Sequence, residues 1–213
     1  MTREADRGDA WKHRFPGFSV VGQAKHWDDA TRAVVLGRLE PPSPIRYLPE
    51  EVRPAGIALV AQIVDVDHAF AFGLLSSIDV RLAENRTDGW HYDDMPIDHD
   101  AWKRSLAGLD EDARKAGGSP FAELSPEVQH DLLEGIRTSD AASWHGMPQA
   151  RVWNLWTRYI CTAYYAHPSA WDEMGFPGPA YPRGYKNPGL DAREPFEVKD
   201  TMPHMDPTVS SAP

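Results

Sequence analysis

Residues 101–118 read AWKRSLAGLDEDARKAGG. Trp102, Leu106, Leu109 and Ala113 fall at i, i+4, i+7 and i+11, which places them on one face of an α-helix. Gly117-Gly118 then closes the helix, because glycine accepts the positive φ of a C-terminal cap. Upstream, Arg86 to Asp100 (RTDGWHYDDMPIDHD) forms a polar loop, with Asp98 or Asp100 suited to cap the helix that follows.

Further helices extend outward from this one. Ala69 to Leu82 carries Phe72, Leu75 and Val80 and ends at Glu84-Asn85. Ala55 to Val66 has Ile57, Leu59, Val60, Ile63 and Val64 nearly all round, the pattern of a central buried helix. A helix starting near Trp27-Asp28-Asp29 turns Val34, Val35 and Leu39 inward and stops at Pro41-Pro42, after which PPSPIRYLP is extended. Downstream, Ser125-Pro126-Glu127 reads as N-cap, N1 proline and early acid ahead of a buried stripe of Val128, Leu132 and Ile136. After a loop from Asp140 to Pro148, Arg151 to Tyr165 forms the last long helix, with Trp153, Trp156, Ile160 and Ala163 at helical spacing. No region alternates apolar and polar residues for six positions, so strands are not expected. The fold class is all-α: a single domain of five or six helices with long ordered connections. Its parts are an extended N-terminal arm at 1–25, a helical domain at 26–166, an aromatic Pro/Gly-rich arm at 167–195 and a polar tail at 196–213.

At 213 residues with 41% hydrophobic content, the chain supports a core of ordinary size. A net charge of −10 argues against nucleic acid as a partner. The longest apolar run, Gly56 to Val64, is interrupted by Gln62 and followed by Asp65, so no direct membrane insertion is expected. The lone Cys161 allows no internal disulfide and no four-thiolate metal site. Met1 to Phe18 shows no apolar core of a signal peptide, so the expected location is cytoplasmic, the alternative being export together with a partner.

Candidate chemical sites are weak. His91, Asp93, Asp94 and His99 form the one dense group of potential metal ligands, which a distant His68 or His145 could complete, but their spacing matches no metal motif. A solvated acidic loop is the favoured reading. His167, just past the last helix, suits a role at that helix's C-terminal dipole better than that of a general base. Cys161 suits a buried, inert thiol. Trp153 and Trp156 suit the core better than a sugar-stacking platform. Neither a nucleophile elbow nor a dinucleotide or P-loop glycine motif occurs. The expectation is no catalytic, cofactor-binding or metal residue in this chain.

The run His167 to Tyr185, HPSAWDEMGFPGPAYPRGY, fits no helix or strand template, yet it is too aromatic for a solvated linker. It needs a surface, either this chain's own helices or another protein. As partner contacts it offers Trp171, Phe176, Pro177, Tyr181, Arg183 and Tyr185, Arg183 being suited to a bidentate carboxylate contact. The segment Trp11…Phe15-Pro16-Gly17-Phe18 offers Phe15 and Phe18 besides.

Tyr164-Tyr165-x-His167-Pro168, followed by Trp171-x-Glu173-x-Gly175-Phe176-x-Gly178-Pro179-Ala180-Tyr181-Pro182-Arg183-Gly184-Tyr185, resembles the C-terminal signature of the gluconate 2-dehydrogenase subunit 3 family. Tyr47-Leu48-Pro49-Glu50-Glu51, the Trp102…Leu106…Leu109-Asp110 helix and Gln129-x-x-Leu132-Leu133 extend the likeness over residues 45–186. The resemblance implies the small subunit of a sugar or polyol dehydrogenase complex. Such a subunit is non-catalytic and binds, folds and stabilises a large flavoprotein of the glucose–methanol–choline type as a heterodimer. FAD and the oxidation of the sugar then belong to the partner. Exported members of the family begin with a twin-arginine leader, and Met1 to Phe18 contains no adjacent arginines.

Overall fold

The computed structural model describes residues 14–139, 141–190 and 192–205. Among them are seven α-helices and no β-strand, so the all-α expectation holds. The seventh helix is one more than the sequence patterns place, and it lies at 168–174. The chain divides into two compact units, Pro41–Tyr164 on one hand and Met1–Glu40 with Tyr165–Pro213 on the other. The first thirteen residues, Trp11 among them, and those after Met205 lie outside the described residues, as does Asp140 in the predicted loop.

In the unit Pro41–Tyr164, helix α2 (Arg53–Val64) is central, as its all-round apolar pattern predicts. It packs on α3 (His68–Ala83), α4 (Asp98–Gly117) and α5 (Pro126–Thr138). The caps are local and chemical. Asp67 accepts the Phe70 amide at 2.8 Å to start α3, and Gly118 at φ 77° ends α4. Ser125 accepts the Val128 amide and Pro126 opens α5.

The core of this unit gathers Leu48, Leu59, Leu75, Leu106, Leu109 and Trp102 with Trp156 and Tyr159 of α6 (Gln149–Ala166). Most polar groups inside it are matched, the Trp102 indole Nε1 being buried without a hydrogen-bond partner. Trp156 Nε1 donates to Ser105 Oγ at 2.9 Å. The Asp79 carboxylate, fully buried, accepts the backbone amides of Arg46, Tyr47 and Leu48, which anchors the extended segment ahead of α2.

Two predicted stripes are corrected. On α5, Val128 is exposed, Leu132 is half-buried, and the buried face is Gln129, Leu133 and Ile136. Gln129 takes a core position because its amide donates to the Phe121 and Leu124 carbonyls and accepts from Gln62. On α1 (Asp29–Gly37), capped by Asp28 through the Thr31 amide, only Val35 is buried. Val34 and Leu39 face outward.

In the second unit, a turn at Phe15–Phe18 and a 3-10 helix Val20–His26 replace the extended N-terminal stretch expected up to residue 25. The 3-10 helix packs on α7 (Pro168–Met174), and a small core forms from Val20, Trp27, Val35 and Trp171. No single helix among the described residues is long and apolar enough to cross a membrane.

Candidate partner interface

The aromatic run after α6 is not wholly extended, because its first residues form α7. His167 Nδ1 accepts the Ser169 amide at 3.2 Å as the N-cap. Pro168 sits at the first helical turn, where its missing N–H costs nothing and its fixed φ suits the helix. Gly175 ends the helix at φ 66°. His167 therefore caps the helix that follows. Burial, with a smaller contribution from Arg38, pushes its imidazole below the ordinary histidine value.

Trp171 is 7% exposed. Its Nε1 donates to the Tyr165 carbonyl at 2.6 Å, the Arg38 guanidinium lies 5.5 Å from its ring centroid, and the Phe176 ring meets it edge-on at 5.2 Å. Asp172 accepts the Val20 amide at 2.5 Å. Two glycines permit the close packing. A Cβ on Gly175 would lie 2.5 Å from the Phe15 ring, and one on Gly178 2.6 Å from Trp27, both at positive φ.

The sequence-predicted contact residues thus divide. Trp171 and Pro177 are buried, and Phe15 and Phe18 are half-buried, within this unit. Phe176 lies at 38% exposure, while Tyr181 and Tyr185 reach 65% and 61%. The turn that presents the two tyrosines contains a cis Tyr181–Pro182 peptide and is closed by Gly184 donating to the Ala180 carbonyl at 2.8 Å. Arg183 is half-buried, with Nη1 donating to Gln23 Oε1 at 2.9 Å and its guanidinium 4.0 Å from the Phe196 ring centroid.

The described part of the polar tail is tied back to the N-terminal segment. Arg14 pairs with Asp200 at 2.8 Å, and the Thr201 amide donates to the Arg14 carbonyl. Burial acts to raise the Asp200 carboxyl, but the Met202 amide and Arg14 outweigh it and hold the group below its ordinary value. Glu194, 4% exposed, accepts the Lys186 and Asn187 amides.

The other sequence candidates do not gather into a site. Among the described residues, no three histidine, cysteine or acidic side chains converge as metal ligands. Asp94 pairs with Arg151, His99 packs edge-on against Tyr47 at 5.5 Å, and His68 is exposed at the start of α3. His145 lies 3.0 Å from Asp112. Asp98 is no solvated cap, since its buried carboxylate accepts from the Tyr159 hydroxyl at 2.6 Å and from Arg158. Trp156 is fully buried and Trp153 packs half-buried on the core, so the two form no exposed sugar platform. Cys161 is half-buried, and that burial pushes its thiol up.

One group escaped the sequence reading. Trp90 and Tyr92, 49% and 39% exposed, meet edge-on at 5.2 Å in the loop before α4. Arg158 lies 4.9 Å from the Trp90 ring and Arg151 3.9 Å from that of Tyr92. Two aromatics in an otherwise polar loop were the available signal, but the arginines come from α6, some sixty residues away.

These features define an all-α protein that displays aromatic side chains on a Pro/Gly-rich segment. The chain belongs to the gluconate 2-dehydrogenase subunit 3 family, whose model matches residues 57–178. That match takes in α7, Trp171 and Phe176, and it ends before Tyr181. No curated protein and no solved structure matches the chain.

Proposed function

We propose that this chain is the non-catalytic small subunit of a sugar or polyol dehydrogenase complex, binding and stabilising a large FAD-dependent flavoprotein of the glucose–methanol–choline type. The family match over 57–178 carries this reading. The exposed Tyr181 and Tyr185 support it, since tyrosine adds large contact area at low entropic cost and is frequent among interface hot spots. In this arrangement FAD and the chemistry lie in the partner. Trp171 and Pro177 act indirectly, by holding the segment from which the tyrosines project.

Co-expression with a large FAD-dependent dehydrogenase of this type, sought in the reading frames next to this one, tests the reading. The two should co-elute as one flavin-bearing species, and the purified small chain should neither bind flavin nor reduce an electron acceptor with any sugar. Sugar oxidation by the small chain alone would overturn it.

A further inference from the structure

Arg183 is incompletely partnered. Nη1 donates to Gln23, but Nε and Nη2 are buried and have no hydrogen-bond partner. Those two nitrogens form the side-on edge of the guanidinium, whose parallel N–H groups match the two oxygens of a carboxylate. Burying donors of a charged group without acceptors costs their full desolvation. Each such group in a native structure calls for an explanation, and for a charged fork with two free parallel donors an anionic partner is the one that its chemistry fits. Burial also pushes the guanidinium below its ordinary value, the direction an absent anionic partner would reverse.

The surroundings fit an anion. Arg183 lines an open cleft of about 540 Å³ with Lys25, His26, Lys186, Phe18 and Phe196. Glu194 and Glu197 also line it, but both are engaged by backbone: Glu194 accepts from Lys186 and Asn187, and Glu197 accepts the Glu194 amide at 2.9 Å. Among the described residues neither acid forms an ion pair with Arg183. Phe196 covers one face of the guanidinium and fixes its plane.

We propose that the Nε–Nη2 edge of Arg183 is a receptor for a carboxylate supplied from outside this chain. Where an aspartate or glutamate of the flavoprotein supplies it, the proposal rests on the accessory-subunit reading. A free small carboxylate would use the same fork.

The test has two arms. In the first, the Nε–H resonance of Arg183, identified by its loss in Arg183→Lys, is followed while the full chain is titrated with N-acetylglutamate at constant ionic strength. In the second, affinity for the flavoprotein subunit is compared for wild type, Arg183→Lys and Arg183→Gln. A loss of about tenfold or more in both variants, Lys included because it keeps the charge but not the fork, assigns the carboxylate to the partner. A saturable resonance shift with unchanged complex affinity assigns it to a free carboxylate. No response in either arm overturns the proposal. Should no flavoprotein bind the wild-type chain, the accessory reading falls and the first arm alone decides the fork.

Discussion

Asp172 on α7 accepts the backbone amide of Val20 at 2.5 Å, joining residues 152 positions apart in the sequence. This bond fixes the N-terminal 3-10 helix against the segment that carries the exposed tyrosines. Asp172→Asn is expected to cost about 1–2 kcal/mol, as a neutral acceptor replaces a charged one. Hydrogen exchange at Val20 should accelerate, and unchanged protection there would remove this bond from the account.

Asp79 holds three consecutive amides, from Arg46 to Leu48, at 2.7–3.0 Å. Asp79→Ala leaves all three without their acceptor and should destabilise the chain by at least about 3 kcal/mol. Urea denaturation measures it, and a loss below about 1 kcal/mol would mean that water replaces the carboxylate.

Burial first, and then the Asp98 carboxylate that accepts its hydroxyl, raise the Tyr159 phenol well above its ordinary value of 10.0. A group whose folded value is raised adds stability that is complete below its unfolded value and is lost as pH climbs beyond it. The window here opens above pH 10. Tyr159→Phe should cost about 1–2 kcal/mol at neutral pH and flatten the alkaline loss. Parallel curves for the two proteins above pH 10 would contradict the assignment.

His167 shifts the other way, below its ordinary 6.5. Its folded state favours the neutral ring, so its contribution is present above about pH 6.5 and is lost as pH falls below it. Protonation of Nδ1 also removes the acceptor for the Ser169 amide. Exchange at Ser169 should therefore accelerate under mild acid in the wild type but not in His167→Asn, which caps without titrating. Equal acid sensitivity in both would argue against the cap as the cause.

If the exposed tyrosines meet the proposed partner, the division between buried and exposed aromatics separates folding from assembly. Trp171→Ala should destabilise the chain by about 3 kcal/mol. Tyr181→Ala with Tyr185→Ala should leave stability within about 0.5 kcal/mol while weakening the proposed complex with a flavoprotein about tenfold or more. Thermal melts and a binding titration read the two effects. Full affinity in the double variant would show that this turn lies off the interface.

The helical class was legible because it rests on local chemistry. The stripe of α4, the Ser125-Pro126 start of α5 and the Gly118 stop each combine spacing with a cap that neighbouring residues supply. Where the reading missed, a non-local contact or a polar substitution decided. Gln129 displaced Val128 from the core because the Phe121 and Leu124 carbonyls accept its amide protons and Gln62, from a helix far back in the sequence, donates to its oxygen. Helix α7 was hidden by a proline count that suggested extended chain, although Pro168 stands where a helix accepts it.

By itself the sequence determined the all-helical class, where six of its helices lie, and the family, whose model takes in the first part of the run from His167 up to residue 178. Hydrophobic period, caps and prolines are properties of adjacent residues, and they need no partner to be read. Only the tertiary structure decided that Trp171 and Pro177 turn inward while Tyr181 and Tyr185 remain exposed. It alone brought Gln23 and Phe196 to Arg183, leaving one edge of the guanidinium unpartnered. A side chain's direction along an irregular segment is set by what packs against it, and here that is chain from the opposite end of the sequence.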